Sequence, residues 1–151
     1  MKVMIMKIRN SLLVMGFALA VTTPVITAMP AQAQSSASAK SFENQRFFKK
    51  KYKINGTWTL VEHSDKTLIR FSGDFKTKSG PDLKVFLSPK SEAEVNGKNA
   101  LEGAIQLGVL ANNRGAQEYE IPAGTDLSQF STVLVHCEAY SVLWGGGSLE
   151  K

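Results

Sequence analysis

Short runs of apolar residues alternating with polar ones recur along the chain from residue 57 onward. They are rich in Val, Ile, Thr and aromatic residues, and clusters of Gly, Pro, Asn, Asp and Ser separate them, as expected for β-strands joined by turns. The predicted strands are residues 57–61, 67–71, 83–87, 117–121, 132–137 and 141–144. This pattern predicts an all-β fold, either an antiparallel β-sandwich or a small barrel.

Two segments fit the strand pattern less well. The apolar residues between 100 and 110 could face one side of a short helix, but Gly103 and Gly108 argue against a stable one. Gly145-Gly146-Gly147 follows a predicted strand and has no helical segment behind it. We therefore interpret the glycine run as a turn or bulge and not as an anion-binding loop.

The beginning of the chain has the features of an export signal. Basic residues and no acidic ones precede a mostly apolar stretch from 11 to 26, and Ala31-Gln32-Ala33 supplies the small residues of a cleavage site. We predict a cleaved signal peptide at residues 1–33, and an uncleaved membrane anchor is the weaker alternative because Thr22, Thr23 and Pro24 interrupt the run. The expected location is therefore the periplasm or the outside of the cell.

Charge is concentrated in the segment that follows the signal. The formal net charge of the whole chain is +5, and the basic residues between 34 and 53 are Lys40, Arg46, Lys49, Lys50, Lys51 and Lys53. Since the Ser/Ala-rich start of this segment has little apolar bulk, we predict a flexible basic linker at residues 34–47 and a single β-domain at residues 48–149.

Aromatic residues interleave with the lysines of this basic arm, at Phe47, Phe48 and Tyr52. The arm either contacts an anionic membrane or wall surface, or it is solvated while its aromatic side chains pack on the edge of the domain. Nucleic acid is not an expected partner, because it would require a comparable patch on the folded body and because the protein is expected to be exported.

Familiar catalytic motifs are absent from the sequence. It contains no GxSxG elbow, phosphate-binding loop, HExxH zinc motif or CxxCH haem attachment motif. A metal site would have to use His63, His136 and Cys137, but neighbouring residues of a strand point to opposite faces, so His136 and Cys137 should not bind one ion. We therefore expect no metal site and no stand-alone enzymatic activity.

Cys137 is the only cysteine of the chain. Without a second cysteine it is an inert core residue, an intermolecular link or a working thiol. Strand alternation places Val133, Val135, Cys137 and Ala139 on one face, which we predict to be the core side. Judged by this pattern alone, the thiol is buried and has little reactivity.

Three blocks of sequence resemble the DM-thirteen domain family. They are residues 80–88, residues 107–122 and residues 132–149, which occur in the family's order and spacing, so that the resemblance covers residues 48–149. The family is associated with electron transfer and with DOMON domains, which bind haem or sugar, and its hallmark is one cysteine in the penultimate strand. Cys137 matches that position. His136 stands where the family usually has an aromatic residue, which weakens a haem-stacking role for this position.

The resemblance implies that Cys137 does redox work, either as a bare thiol or as a ligand to a prosthetic group. Our leading hypothesis is an exported domain for electron transfer or thiol redox chemistry through Cys137, acting with a redox partner protein. The alternative is a non-enzymatic ligand-binding or adhesion module at the cell surface or in the periplasm, with a structural cysteine. The sequence assigns no certain cofactor, leaving haem or another prosthetic group open, and no oligomeric state.

Overall fold

The computed structural model describes residues 42–63 and 65–149. The expected signal peptide and the linker up to residue 41 lie outside this part of the chain. In chain order the strands of the described part are β1 (Gln45–Arg46), β2 (Phe48–Lys49), β3 (Thr57–Glu62), β4 (Thr67–Phe71), β5 (Leu83–Ser88), β6 (Ile105–Val109), β7 (Gln117–Ile121), β8 (Thr132–Cys137) and β9 (Val142–Ser148). Two 3-10 turns, Leu127–Gln129 and Glu138–Tyr140, flank β8.

The strands form two antiparallel sheets. One has four strands in the order β1-β3-β4-β7, and the other has five in the order β2-β9-β8-β5-β6. The two sheets stay separate and enclose a common core, so the predicted all-β sandwich is confirmed and the barrel alternative is not adopted.

All six predicted strands are present, and three further strands, β1, β2 and β6, lie where none was predicted. The ambiguous segment from 100 to 110 contains strand β6 and no helix. The glycine run forms no turn: Gly145, Gly146 and Gly147 continue β9, and the bulge lies at Trp144, where the pairing with β8 skips one residue.

Close packing explains why β9 contains glycines. A side chain at Gly145 would meet the carbonyl oxygen of Phe48, and one at Gly147 would overlap the indole of Trp58. The local sequence could not reveal this requirement, because the atoms that approach β9 belong to distant parts of the chain.

The segment that contains β1 and β2 crosses from one sheet to the other. β1 pairs with β3, β2 pairs with β9, and the ring of Phe47 between them lies 5.0 Å from that of Phe71. Phe42 is also buried, so the folded domain extends to residues before the expected boundary at Phe48. The aromatic side chains of the basic arm thus pack on the domain, as predicted by the interpretation in which the arm itself is solvated.

Strand β8 is buried on both of its faces. Its core face packs between the sheets, and the opposite face lies under the segment from 89 to 104, whose Val95 and Ala100 pack with Phe86, Leu134 and Leu143. A strand covered on both sides is enclosed from solvent along its length.

Candidate functional site

Cys137 is the last residue of β8 and lies between two neighbouring strands. Its register partners are Leu83 on β5 and Val142 on β9. The side chain faces the core between the sheets and is 0% exposed, and the thiol is free. The predicted core orientation is confirmed for Val133, Val135 and Cys137. It is wrong for Ala139, which is exposed, because the strand ends at Cys137 and a 3-10 turn replaces the alternation.

His136 lies on the opposite face of β8 from the thiol. Its imidazole is buried, and its Nε2 lies 3.1 Å from the carbonyl oxygen of Gly97. Since a carbonyl only accepts, Nε2 carries the proton and donates it. Nδ1 is buried without a hydrogen-bond partner among the described residues. The ring packs edge-on against Phe86 at 6.2 Å. His136 therefore holds the covering segment in place and does not reach Cys137.

A charged cluster ties the end of β8 to the start of β5. The ammonium group of Lys84 contacts the carboxylate of Glu138 and lies 3.4 Å from that of Asp82, and the backbone N–H of Glu138 donates to the carbonyl of Asp82 at 3.1 Å. The hydrogen bond that Lys84 donates to the Glu138 carboxylate raises the pKa of Lys84 above its usual value; burial opposes this rise with a smaller effect, and Asp82 adds to the rise. Lys84 is the register partner of His136, so this cluster lies on the face away from the thiol.

An aromatic pair lies on the same side of the second sheet as the thiol. Trp144 shares the core face of β9 with Val142, the register partner of Cys137. The ring centroid of Tyr52 lies 4.5 Å from that of Trp144, and the indole N–H of Trp144 donates to the carbonyl of Lys78 at 2.9 Å. Tyr52 is only partly buried, so the pair extends from the core to the surface. Sequence reasoning missed this pair, since Tyr52 and Trp144 are far apart in the chain.

The surroundings of Cys137 do not fit haem. A haem iron bound to the sulfur would need an open volume beside it, whereas the side chain is enclosed by close-packed core residues and is 0% exposed. No group of three or more His, Cys, Asp or Glu side chains in residues 42–63 and 65–149 is arranged to hold a metal ion. No helix within that part of the chain is long and apolar enough to cross a membrane.

A groove of about 360 Å³ lies at the other end of β8. Its apolar lining comes from Phe42, Leu60, Leu127, Phe130 and Leu149, and its polar lining from Glu62, Ser128 and Ser131. Ser131 directly precedes β8, so the groove is about 20 Å along the strand from Cys137. The groove and the thiol are separate sites.

A protein-family model described as Electron transfer DM13 matches residues 46–147, about two thirds of the chain. The chain belongs to this family. The matched region of the DM13 domain runs from β1 into β9 and includes Cys137, Tyr52 and Trp144. No curated protein and no solved structure matches the chain.

Proposed function

We propose that this DM13 protein is an exported redox domain that exchanges electrons with a partner protein through Cys137. The observation that carries the proposal is the electron-transfer family match over the domain that contains this free thiol. All five methionines lie within residues 1–33, so cleavage of the signal would leave Cys137 as the only sulfur of the protein. The sulfur is thus the natural candidate for a redox centre that belongs to the chain itself.

Burial of Cys137 favours transfer of electrons over covalent exchange. Disulfide exchange requires another sulfur to touch the thiolate, and a side chain that is 0% exposed offers no approach. An electron can pass through packed protein without such contact. In the oxidising step an oxidised one-electron carrier protein takes one electron from the sulfur, and the thiol proton leaves to water. A reduced carrier returns the electron, and water returns the proton.

The first experiment compares Cys137→Ser with Val135→Thr. Both replacements place a hydroxyl on the core face of β8 at a fully buried position, but only the first removes the sulfur. Hexacyanoferrate(III) serves as the one-electron oxidant, and its loss of absorbance measures electron uptake. We expect the original protein and Val135→Thr to reduce it in equal amounts, and Cys137→Ser to fold and reduce none.

The proposal fails if the native thiol is inert. This result would show no reduction of hexacyanoferrate(III) by the native protein and no visible absorption band in protein isolated from its natural compartment. A visible band that disappears in Cys137→Ser would instead indicate a prosthetic group on the sulfur, and it would contradict the bare-thiol mechanism.

A second candidate function is a ligand-binding or adhesion module in which Cys137 only fills the core. The groove lined by Phe42, Leu60 and Leu127 supports this candidate, because a concave apolar site with a few polar groups is typical of ligand binding. It predicts that Cys137→Ala binds ligand as the original protein does, with a stability loss of about 1 kcal/mol from the cavity. A Leu60→Arg replacement in the groove would then abolish binding.

A further inference from the structure

Four exposed cations lie side by side on three neighbouring segments of the domain. We call Lys53, Lys76, Lys78 and Arg114 the basic face. Lys76 forms antiparallel bridges with Asn55 on one side and with Arg114 on the other. The hydroxyl of Thr77 donates to the carbonyl of Lys53 at 3.2 Å. Ile54 and Thr77 point inward and are buried, so the residues that alternate with them face outward together.

The fold does not neutralise these charges. Lys76 stands directly opposite Arg114, and like charges at such positions destabilise a strand pair. Elsewhere on the domain, cations lie opposite carboxylates. Arg70 is the register partner of Glu118, and its Nε lies 2.6 Å from the Glu118 Oε1. No ion pair among the described residues includes a member of the basic face. The nearby carboxylate of Asp74 accepts instead from the hydroxyl of Ser72 at 2.5 Å.

Lys78 connects the basic face to the aromatic pair. Its ammonium group lies 4.8 Å above the ring of Tyr52, and its carbonyl accepts from the indole of Trp144. Trp144 lies two residues after Val142, the register partner of Cys137 on β9, and its side chain belongs to the same core cluster as the thiol. A partner bound at the basic face would therefore lie next to an aromatic pair that extends from the surface into the core cluster that contains the thiol.

We propose that the basic face docks the acidic surface of the redox partner protein, and that the electron passes between this partner and Cys137 by way of Tyr52 and Trp144. The inference rests on the proposed function, because it takes Cys137 as the electron donor. One electron leaves the Cys137 sulfur and reduces the partner's one-electron centre. The thiol releases its proton to water.

The kinetic experiment uses two small oxidants of opposite charge, hexacyanoferrate(III) and hexaammineruthenium(III). Lys76→Glu/Arg114→Glu reverses half of the basic face, and Lys66→Glu/Lys98→Glu makes the same charge change at exposed lysines elsewhere on the domain. Lys76→Gln/Arg114→Gln provides a milder variant if the reversed one does not fold. At low salt we expect oxidation by hexacyanoferrate(III) to be about tenfold slower in the basic-face variant than in the control, and oxidation by hexaammineruthenium(III) to be faster.

Salt should remove the difference, since charges are screened beyond about 3 Å at 1 M ionic strength. Tyr52→Leu should slow both oxidants at every salt concentration, because it interrupts the connection and leaves the charge unchanged. Equal rates in the basic-face variant and its control, or an unchanged rate in Tyr52→Leu, would overturn the assigned route.

A binding experiment separates this inference from the proposed function. Polyglutamate represents an acidic protein surface, and vesicles of phosphatidylserine and phosphatidylcholine represent an anionic membrane. We expect polyglutamate to bind the original protein and the control at low salt and the basic-face variant at least tenfold more weakly. If this result holds while neither oxidant takes electrons, the docking surface stands and the redox function fails. Binding to vesicles but not to polyglutamate would overturn the assignment of an acidic protein partner.

Discussion

Replacing Gly147 by Ala tests how tightly the two sheets are packed. Gly147 lies within β9 opposite Val133, and its added methyl group would overlap Nε1 and Cε2 of the Trp58 indole and lie 2.6 Å from Cδ1. Trp58 is 0% exposed, and its ring stacks on that of Phe42 at 5.8 Å. The indole is rigid and enclosed, so it has little room to move away from the methyl group.

The expected loss of stability is about 2 kcal/mol. Overpacking a close-packed core costs about 1–3 kcal/mol, and the reduced chain entropy of the unfolded state returns up to about 1 kcal/mol when alanine replaces glycine. For a domain of this size, a loss of 2 kcal/mol lowers the melting temperature by about 8 °C. Urea unfolding followed by tryptophan fluorescence measures the free energy of unfolding.

Gly73→Ala is the matched control. No atom lies within 4 Å of the position that its methyl group would occupy. We expect this variant to be as stable as the original protein or slightly more stable. Adding Trp58→Phe to Gly147→Ala removes the indole atoms in conflict, so the two replacements should couple by at least about 1 kcal/mol. Equal stabilities of the Gly147→Ala and Gly73→Ala proteins would refute the reasoning.

Three further predictions concern residues around the core. Burial raises the pKa of Tyr119 above its ordinary value, against a smaller opposing hydrogen bond from Ala111, so its neutral form stabilises the fold at neutral pH and this contribution is lost as pH rises above about 10. In urea titrations above about pH 10, the free energy of unfolding of Tyr119→Phe should fall less steeply with pH than that of the original protein. An equal dependence on pH would contradict the assignment. Trp144→Phe leaves the carbonyl of Lys78 without its donor and should lower the free energy of unfolding by about 1–2 kcal/mol; a loss below about 0.3 kcal/mol would show that the hydrogen bond contributes little. His136→Phe should weaken the fold by about 1 kcal/mol through the lost bond to Gly97 and leave electron uptake by Cys137 unchanged; reduced uptake would show that the imidazole takes part in the redox step.

Local sequence predicted most of the strands because runs of β-branched and aromatic residues between turn residues are typical of strands, and because successive residues of a strand alternate between its two faces. For β4, β7 and β8 the observed bounds equal the predicted ones. The same alternation placed Cys137 on the core face and His136 on the other, and the structure confirms both orientations. The resemblance to the family was likewise carried by sequence blocks, and the family match confirms it.

Strand pairing and close approach could not be predicted in this way. β1 and β2 are each two residues long, too short to show a period, and they form only because β3 and β9 offer them free edges. The glycine run was interpreted as a turn or bulge because a local pattern does not show that Trp58 and Phe48 approach β9.

For the candidate site, the sequence by itself determined which residue carries the thiol and which way it points. Only the tertiary structure decided that the thiol is fully buried, that Tyr52 and Trp144 form a pair extending from the core to the surface, and that Lys53, Lys76, Lys78 and Arg114 lie together on one face. Alternation is a property of neighbours along the chain, whereas enclosure and a charged face arise from residues that the packing of the two sheets brings together.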